Sequence, residues 1–104
     1  MKLVFVYITA ASLAEARRIG RALVTARLAA CVNILAPIRS IYRWKGRVRQ
    51  DREWVLIAKT RADRAEALIR KVKSLHSYEV PCIVALPILK GNRAFLEWIA
   101  DETR

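Results

Sequence analysis

Few side chains in this 104-residue chain can do chemistry, and most of them sit in one stretch. His76-Ser-Tyr-Glu-Val-Pro81 holds an imidazole, a phenol and a carboxylate within four positions. Tyr78 and Glu79 either tie down a helix-to-strand junction or line a cleft, and the residues alone leave both open. His76 is the only histidine. At a helix C-terminus it reads first as a cap, satisfied by the last carbonyls and the helix dipole. As a metal ligand it lacks partners at close spacing: there is no CxxC, no HxxxH and no carboxylate cluster. Cys82 lies six residues further on. A Cys–His pair can form a nucleophile dyad, but two residues do not establish one. Cys82 falls in an apolar run and reads as a small buried hydrophobe, as does Cys31. No GxGxxG, Walker loop or GxSxG is present, and three glycines make a phosphate cradle a poor fit. The expectation is a protein that is not an enzyme.

These groups must be positioned by a small number of elements. Leu3-Val-Phe-Val-Tyr-Ile is apolar without alternation, so the strand Lys2 to Thr9 is expected to be buried on both faces. Its basic lead-in is a single lysine, which fits a strand better than a secretory signal. Ser12 with Glu15 gives a capping box for a helix over Ala16, Ile19, Leu23, Ala26 and Leu28, ending between Arg27 and Ala30. Cys31-Val-Asn-Ile-Leu starts a second strand, which Pro37 should bend. From Ile38 to Thr60 the chain reads as a long β-hairpin turning at Lys45-Gly46. That turn sets Trp44 opposite Arg47 and Tyr42 opposite Arg49. Thr60 is expected to cap a second helix, with Leu68, Ile69, Val72 and Leu75 inward. Val80 to Leu89 is a further apolar strand limited by Pro81 and Pro87. Asn92 caps a last helix carrying Phe95, Leu96, Trp98 and Ile99.

The order of strand, helix, strand, strand, helix, strand is the split βαβ, or ferredoxin-like, pattern of an α+β domain, here with an extra C-terminal helix. One domain spans residues 1–104. Such a sheet carries helices on one face only. The first and last strands are apolar throughout, so the other face needs cover. The hairpin is longer than the usual 5–6 residues per strand. Its outer half, with Tyr42, Trp44 and Val48, is expected to pack on another subunit. The expected partner is therefore the chain itself.

Lys and Arg number 20 against nine acids, a net charge of +11. Such an excess raises nucleic acid or another anionic surface as a partner. The basic residues are spread along the sequence rather than gathered in one run. That favours a solvated basic surface over nucleic-acid binding, without excluding the latter. No apolar run approaches 18 residues, so no membrane insertion is expected. Two cysteines 51 positions apart make no disulfide framework, and free thiols fit a reducing, cytoplasmic compartment.

Three ordered motifs carry a resemblance. Arg27-Leu-Ala-Ala-Cys-Val-Asn-Ile34, Ser40-Ile-Tyr-Arg-Trp-Lys-Gly46, and His76-Ser-Tyr-Glu-Val-Pro81 with Leu86-Pro-Ile88 closely resemble the CutA divalent-cation tolerance proteins. Asn92 to Trp98 is similar to that family's ending. The resemblance implies a ferredoxin-like fold and a compact PII-like homotrimer with hairpin arms exchanged between subunits. It implies a non-enzymatic role in the response to copper and other divalent cations, with PII-like binding of a small anionic ligand as the alternative. Such a ligand would lie in inter-subunit clefts near Lys59, Arg43, Tyr78 and Glu79. The family's copper ligands, a strand cysteine and a His-His pair, fall here on Ile8, Leu75 and His76. Only His76 survives, so the resemblance implies copper binding that is weak at best. Tyr42 and Trp44 are the implied trimer contacts.

Overall fold

A computed structural model describes residues 2–104. Strand β1 spans Leu3–Ala10 and helix α1 spans Leu13–Thr25. The hairpin strands β2 and β3 span Cys31–Trp44 and Arg47–Arg61. A single 3-10 turn over Ala62–Arg64 leads into α2, Ala65–Leu75. Strand β4, Ile83–Pro87, and helix α3, Arg93–Glu102, complete the chain.

The strands order as β2-β3-β1-β4, with antiparallel pairs throughout. This is the ferredoxin-like α+β arrangement that the sequence order implies. Alternation decides which side chains meet the helices. Val6, Ile8 and Ala10 of β1, with Leu56 and Ala58 of β3, pack on Ile19 and Leu23 of α1 and on Leu68 and Val72 of α2, all 0% exposed. Burying each of the larger ones is worth about 1.5–3 kcal/mol. A second small cluster joins Leu3, Ala30 and Ile99, seating α3 at the sheet's end.

α1 begins where the sequence places it. The Ser12 hydroxyl accepts the Glu15 N–H, and the Glu15 carboxylate accepts the Ala11 N–H, one residue before the cap itself. The helix ends at Thr25, earlier than the apolar spacing suggests, because Arg27 turns to a φ of 59°. At Gly20 an added methyl would come within 3.3 Å of Val32, so glycine lets α1 sit close to β2.

The hairpin turn has positive φ at both central residues, 49° at Lys45 and 79° at Gly46. That is the twist-matched turn of a two-residue hairpin. Trp44 pairs with Arg47 and Tyr42 with Arg49, in the expected register. The register slips between Leu35 and Ile38, around Pro37, which cannot donate to the ladder. β1 reaches only Trp54 on β3, so Arg47–Glu53 pairs with β2 alone. The ribbon projects beyond the sheet. The radius of gyration is 14.1 Å, above the roughly 13 Å of a compact 100-residue domain.

Two further expectations fail. Thr60 does not cap a helix: it lies in β3, fully buried and paired with Val4, and its hydroxyl has no partner among the described residues. Strand pairing outcompetes the cap because β1 extends far enough to hold β3 to Arg61. The last strand covers only Ile83–Pro87, since β1 offers partners only from Val4 to Ile8.

Candidate functional site

The face of the sheet away from α1 and α2 carries Phe5, Tyr7 and Thr9 of β1, Val55, Ile57 and Lys59 of β3, and Val84 and Leu86 of β4. Leu35, Val84 and Leu86 are 45%, 51% and 46% exposed, an apolar surface no element of the chain covers. At one end of this face, where the hairpin leaves the sheet, the 76–82 segment brings the polar side chains together.

His76 follows the last residue of α2. Its Nε2 bonds the Thr9 carbonyl at 2.7 Å, and its Nδ1 accepts the Tyr78 N–H at 3.1 Å. The imidazole is thus the Nε2–H tautomer, with the donor on β1 and the acceptor on its own loop. It does not cap the last carbonyls of α2, as its position suggests, but ties the helix end to the first strand. The extended backbone at His76, ψ 142°, turns the side chain off the helix axis.

Glu15 completes the knot from the other helix. Its Oε1 accepts Ala11 N–H at 3.0 Å and its Oε2 accepts Ser77 N–H at 2.8 Å. Burial pushes this carboxyl up, but the hydrogen bonds from Ala11 and Ser77 outweigh it and hold its pKa below the usual value.

Tyr78 donates to Glu53 at 2.8 Å. Burial first, then this bond and the Glu53 charge, raise its phenol far above the ordinary range, so Tyr78 remains a donor. Glu53 is only 8% exposed. A Tyr78→Phe variant removes the donor and leaves that carboxylate under-bonded. The expected loss is about 1–3 kcal/mol of stability, read as a lower denaturation midpoint. An unchanged midpoint would mean that water satisfies Glu53 from outside.

Tyr42 donates to Asp51 across the hairpin, which raises its own pKa. Tyr42, Trp44, Arg49 and Asp51 face Ser77, Tyr78 and Glu79 across an open cleft of about 390 Å³. Lys45 reaches Glu79 at 3.8 Å, but both groups are over 70% exposed, so this pair adds little. The structure therefore joins Tyr42, Trp44, Tyr78 and Glu79. It leaves out Arg43, which pairs with Val48 on the ribbon's other face. It also leaves out Lys59, six residues along β3 from Glu53. Lys59 is buried against Asn33 Oδ1 and, at 3.4 Å, Cys31 Sγ.

Cys82 is exposed rather than buried, because β4 begins only at Ile83. Partial desolvation raises its thiol above the usual value; a bond to Thr9 opposes this, and the Glu53 charge adds a smaller upward push. A raised pKa disfavours the thiolate that a nucleophile needs, and both His76 nitrogens are engaged elsewhere.

A family model for the CutA1 divalent ion tolerance protein matches residues 4–102. This chain belongs to that family. It is 51% identical over 98 residues to the divalent-cation tolerance protein CutA of Thermus thermophilus, covering 94% of this chain and 95% of that one. It is 48% identical over 99 residues to the corresponding protein of Archaeoglobus fulgidus, covering 95% of each. A solved structure of the Archaeoglobus protein, described as a periplasmic divalent cation tolerance protein, superposes with a TM-score of 0.95 at 44% identity, over 98% of this chain and 99% of that one.

In this chain the positions where the resemblance puts copper ligands do not form a metal centre. Ile8 is fully buried and faces the helices; Leu75 packs on the same core. Copper at either His76 nitrogen must displace the Thr9 or the Tyr78 bond. Among the described residues no three His, Cys, Asp or Glu side chains gather as a metal site. The residues do not fit a copper first shell.

Glu53 and Glu15 are the site residues that sequence reasoning misses. Glu15 carries a signal, as the capping-box acid, but nothing local says that it also reaches Ser77. Glu53 carries none: its partner lies 25 residues away across the fold.

Proposed function

We propose that this chain works as a homotrimeric, non-enzymatic divalent-cation tolerance protein, with sheets packed face to face and hairpin arms laid across neighbours. One observation carries the reading. The sheet face opposite the helices leaves Leu35, Val84 and Leu86 about half exposed, and it continues into a two-stranded ribbon that pairs with no third strand. An isolated two-stranded ribbon is marginal in water, and an apolar face of this kind marks an interface. Trp44→Ala should then weaken the assembly by about 2–4 kcal/mol per site, seen as a higher dissociation constant. Dilution series followed by light scattering would show it. Unchanged dissociation would place Trp44 in its own chain's cleft alone.

The tolerance role is read as one without a built copper site. Copper contacts at His76 are weak, since each nitrogen must first give up a hydrogen bond. Calorimetric titration should give no submicromolar copper binding in the native protein or in His76→Ala. Tight binding lost in His76→Ala would overturn this; tight binding that survives would place a site elsewhere.

The second reading is a PII-like module taking a small anion between subunits. Lys59 favours it: it is buried against Asn33 and Cys31 and forms no ion pair among the described residues, so it gains from a nearby negative charge. A rise in melting temperature with nucleotides or other small anions, lost in Lys59→Met, supports it. No rise across such a panel removes it. Cytoplasmic placement belongs to the proposal and rests on the two unpaired cysteines. Fractionation of the source cells separates it from a periplasmic location.

A further inference from the structure

The fold brings Lys71 of α2 beside three arginines that are already close in the sequence. Arg17, Arg18 and Arg21 all lie on the exposed side of α1. Two grooves run beside this ridge. One, about 560 Å³, lies between α1 and β2 and is lined also by Val24, Thr25, Val32 and Ile34. The other, about 400 Å³, opens toward α2, and Lys71 stands on its far side. Arg18 and Arg21 line both grooves. Of these four cations only Arg18 has an acidic neighbour, Glu15 at 3.9 Å, and that carboxylate is already committed to two backbone N–H groups. Arg17, Arg21 and Lys71 form no ion pair among the described residues.

We infer that the outer face of α1, with Lys71 of α2, is a docking surface for the phosphate backbone of duplex nucleic acid, read without sequence preference. Charge complementarity selects a polyanion, and the arginine fork matches phosphate oxygens in pairs. Two features select the duplex. A helix that lies on a membrane presents a stripe of Trp, Phe or Leu to the lipid, whereas Ala16, Ile19 and Leu23 of α1 are buried in the core and its exposed apolar residues, Leu13 and Val24, stand apart at its two ends. A single-strand surface needs aromatic platforms for the bases, and no aromatic residue lines either groove. Backbone contacts to a duplex need only placed positive charge. The surface lies on the helix side of the sheet, opposite the face that Val84 and Leu86 share.

Four phosphate contacts give a plot of log affinity against log salt with a slope of about −3 to −4. The test measures fluorescence anisotropy of a labelled 20-base-pair DNA with the native protein from low to physiological salt. Two triple variants accompany it: Arg17→Ala/Arg18→Ala/Arg21→Ala, and Lys2→Ala/Lys90→Ala/Arg93→Ala. The second removes the same formal charge away from α1. Circular dichroism and sedimentation confirm that each keeps its fold and assembly. The expected result is binding that weakens at least tenfold in the α1 variant and little in the other. The slope should become shallower by about 2–3, near one unit per lost contact. No binding at the lowest salt, or equal weakening in both variants, would overturn the inference. So would a preference for phosphatidylserine vesicles over DNA that disappears in the α1 variant, since a membrane would then be the occupant.

Discussion

A Val84→Asp variant is expected to fold as a single chain and to fail to assemble. Val84 sits on the edge strand β4, opposite Tyr7, on the uncovered face of the sheet. It is half exposed in the isolated chain. A carboxylate there remains in water while the chain is alone, so its cost to the chain is that of a surface change in a strand, about 1 kcal/mol or less. In a face-to-face assembly the same carboxylate is taken out of water with only apolar neighbours. That costs several kcal/mol per ion, and each subunit brings one. The effect falls on association and spares folding. The measurement is sedimentation velocity with circular dichroism on the same sample. Native-like secondary structure in a species of single-chain mass is the expected result. An assembly unchanged by the substitution would show that this face is not where chains meet.

The second large effect concerns Glu15. Replacing it by alanine frees the Ala11 and Ser77 N–H groups, one at the start of α1 and one in the loop after α2. Water reaches both segments, so the expected cost is about 2–3 kcal/mol rather than the full price of two buried donors. That corresponds to a fall in melting temperature of roughly 10 °C or more for a domain of this size. The carboxyl also carries a pH signature. Its pKa is held below the ordinary 4.5 in the folded chain. A group whose folded pKa is depressed stabilises the fold above its unfolded pKa, and that contribution is lost as pH falls through the folded value. Native protein should therefore lose stability below about pH 4.5, while Glu15→Gln, unable to ionise, should lose less over the same span. Parallel acid limbs in the two proteins would show that the knot at Ser77 does not depend on the charge.

The parts of this fold legible in the sequence are those set by short-range rules. Ser12, Asn92 and Gly46 each act within three residues, and each sits where its chemistry places it. The Lys45-Gly46 turn likewise sets the hairpin register, with Trp44 opposite Arg47 and Tyr42 opposite Arg49. What was not legible depends on distant partners. Thr60 has the residue type of a cap, but β1 holds it in the sheet. Cys82 sits in an apolar run, but β1 ends its pairing at Ile8 and leaves it outside. His76 ends a helix as expected, yet its bond runs to Thr9, 67 residues earlier. Glu53 and Tyr78 find each other only because the hairpin crosses the 76–82 loop. The copper-ligand positions show the reverse case. Ile8 and Leu75 read as departures from the family pattern, and packing explains them, since both are part of the core.

The central claim is assembly through the uncovered sheet face and the hairpin arm. Sedimentation equilibrium of the native protein at micromolar concentration tests it most directly. A single species of three times the 11.9 kDa chain mass is the expected result. A species of one chain mass under the same conditions would contradict it.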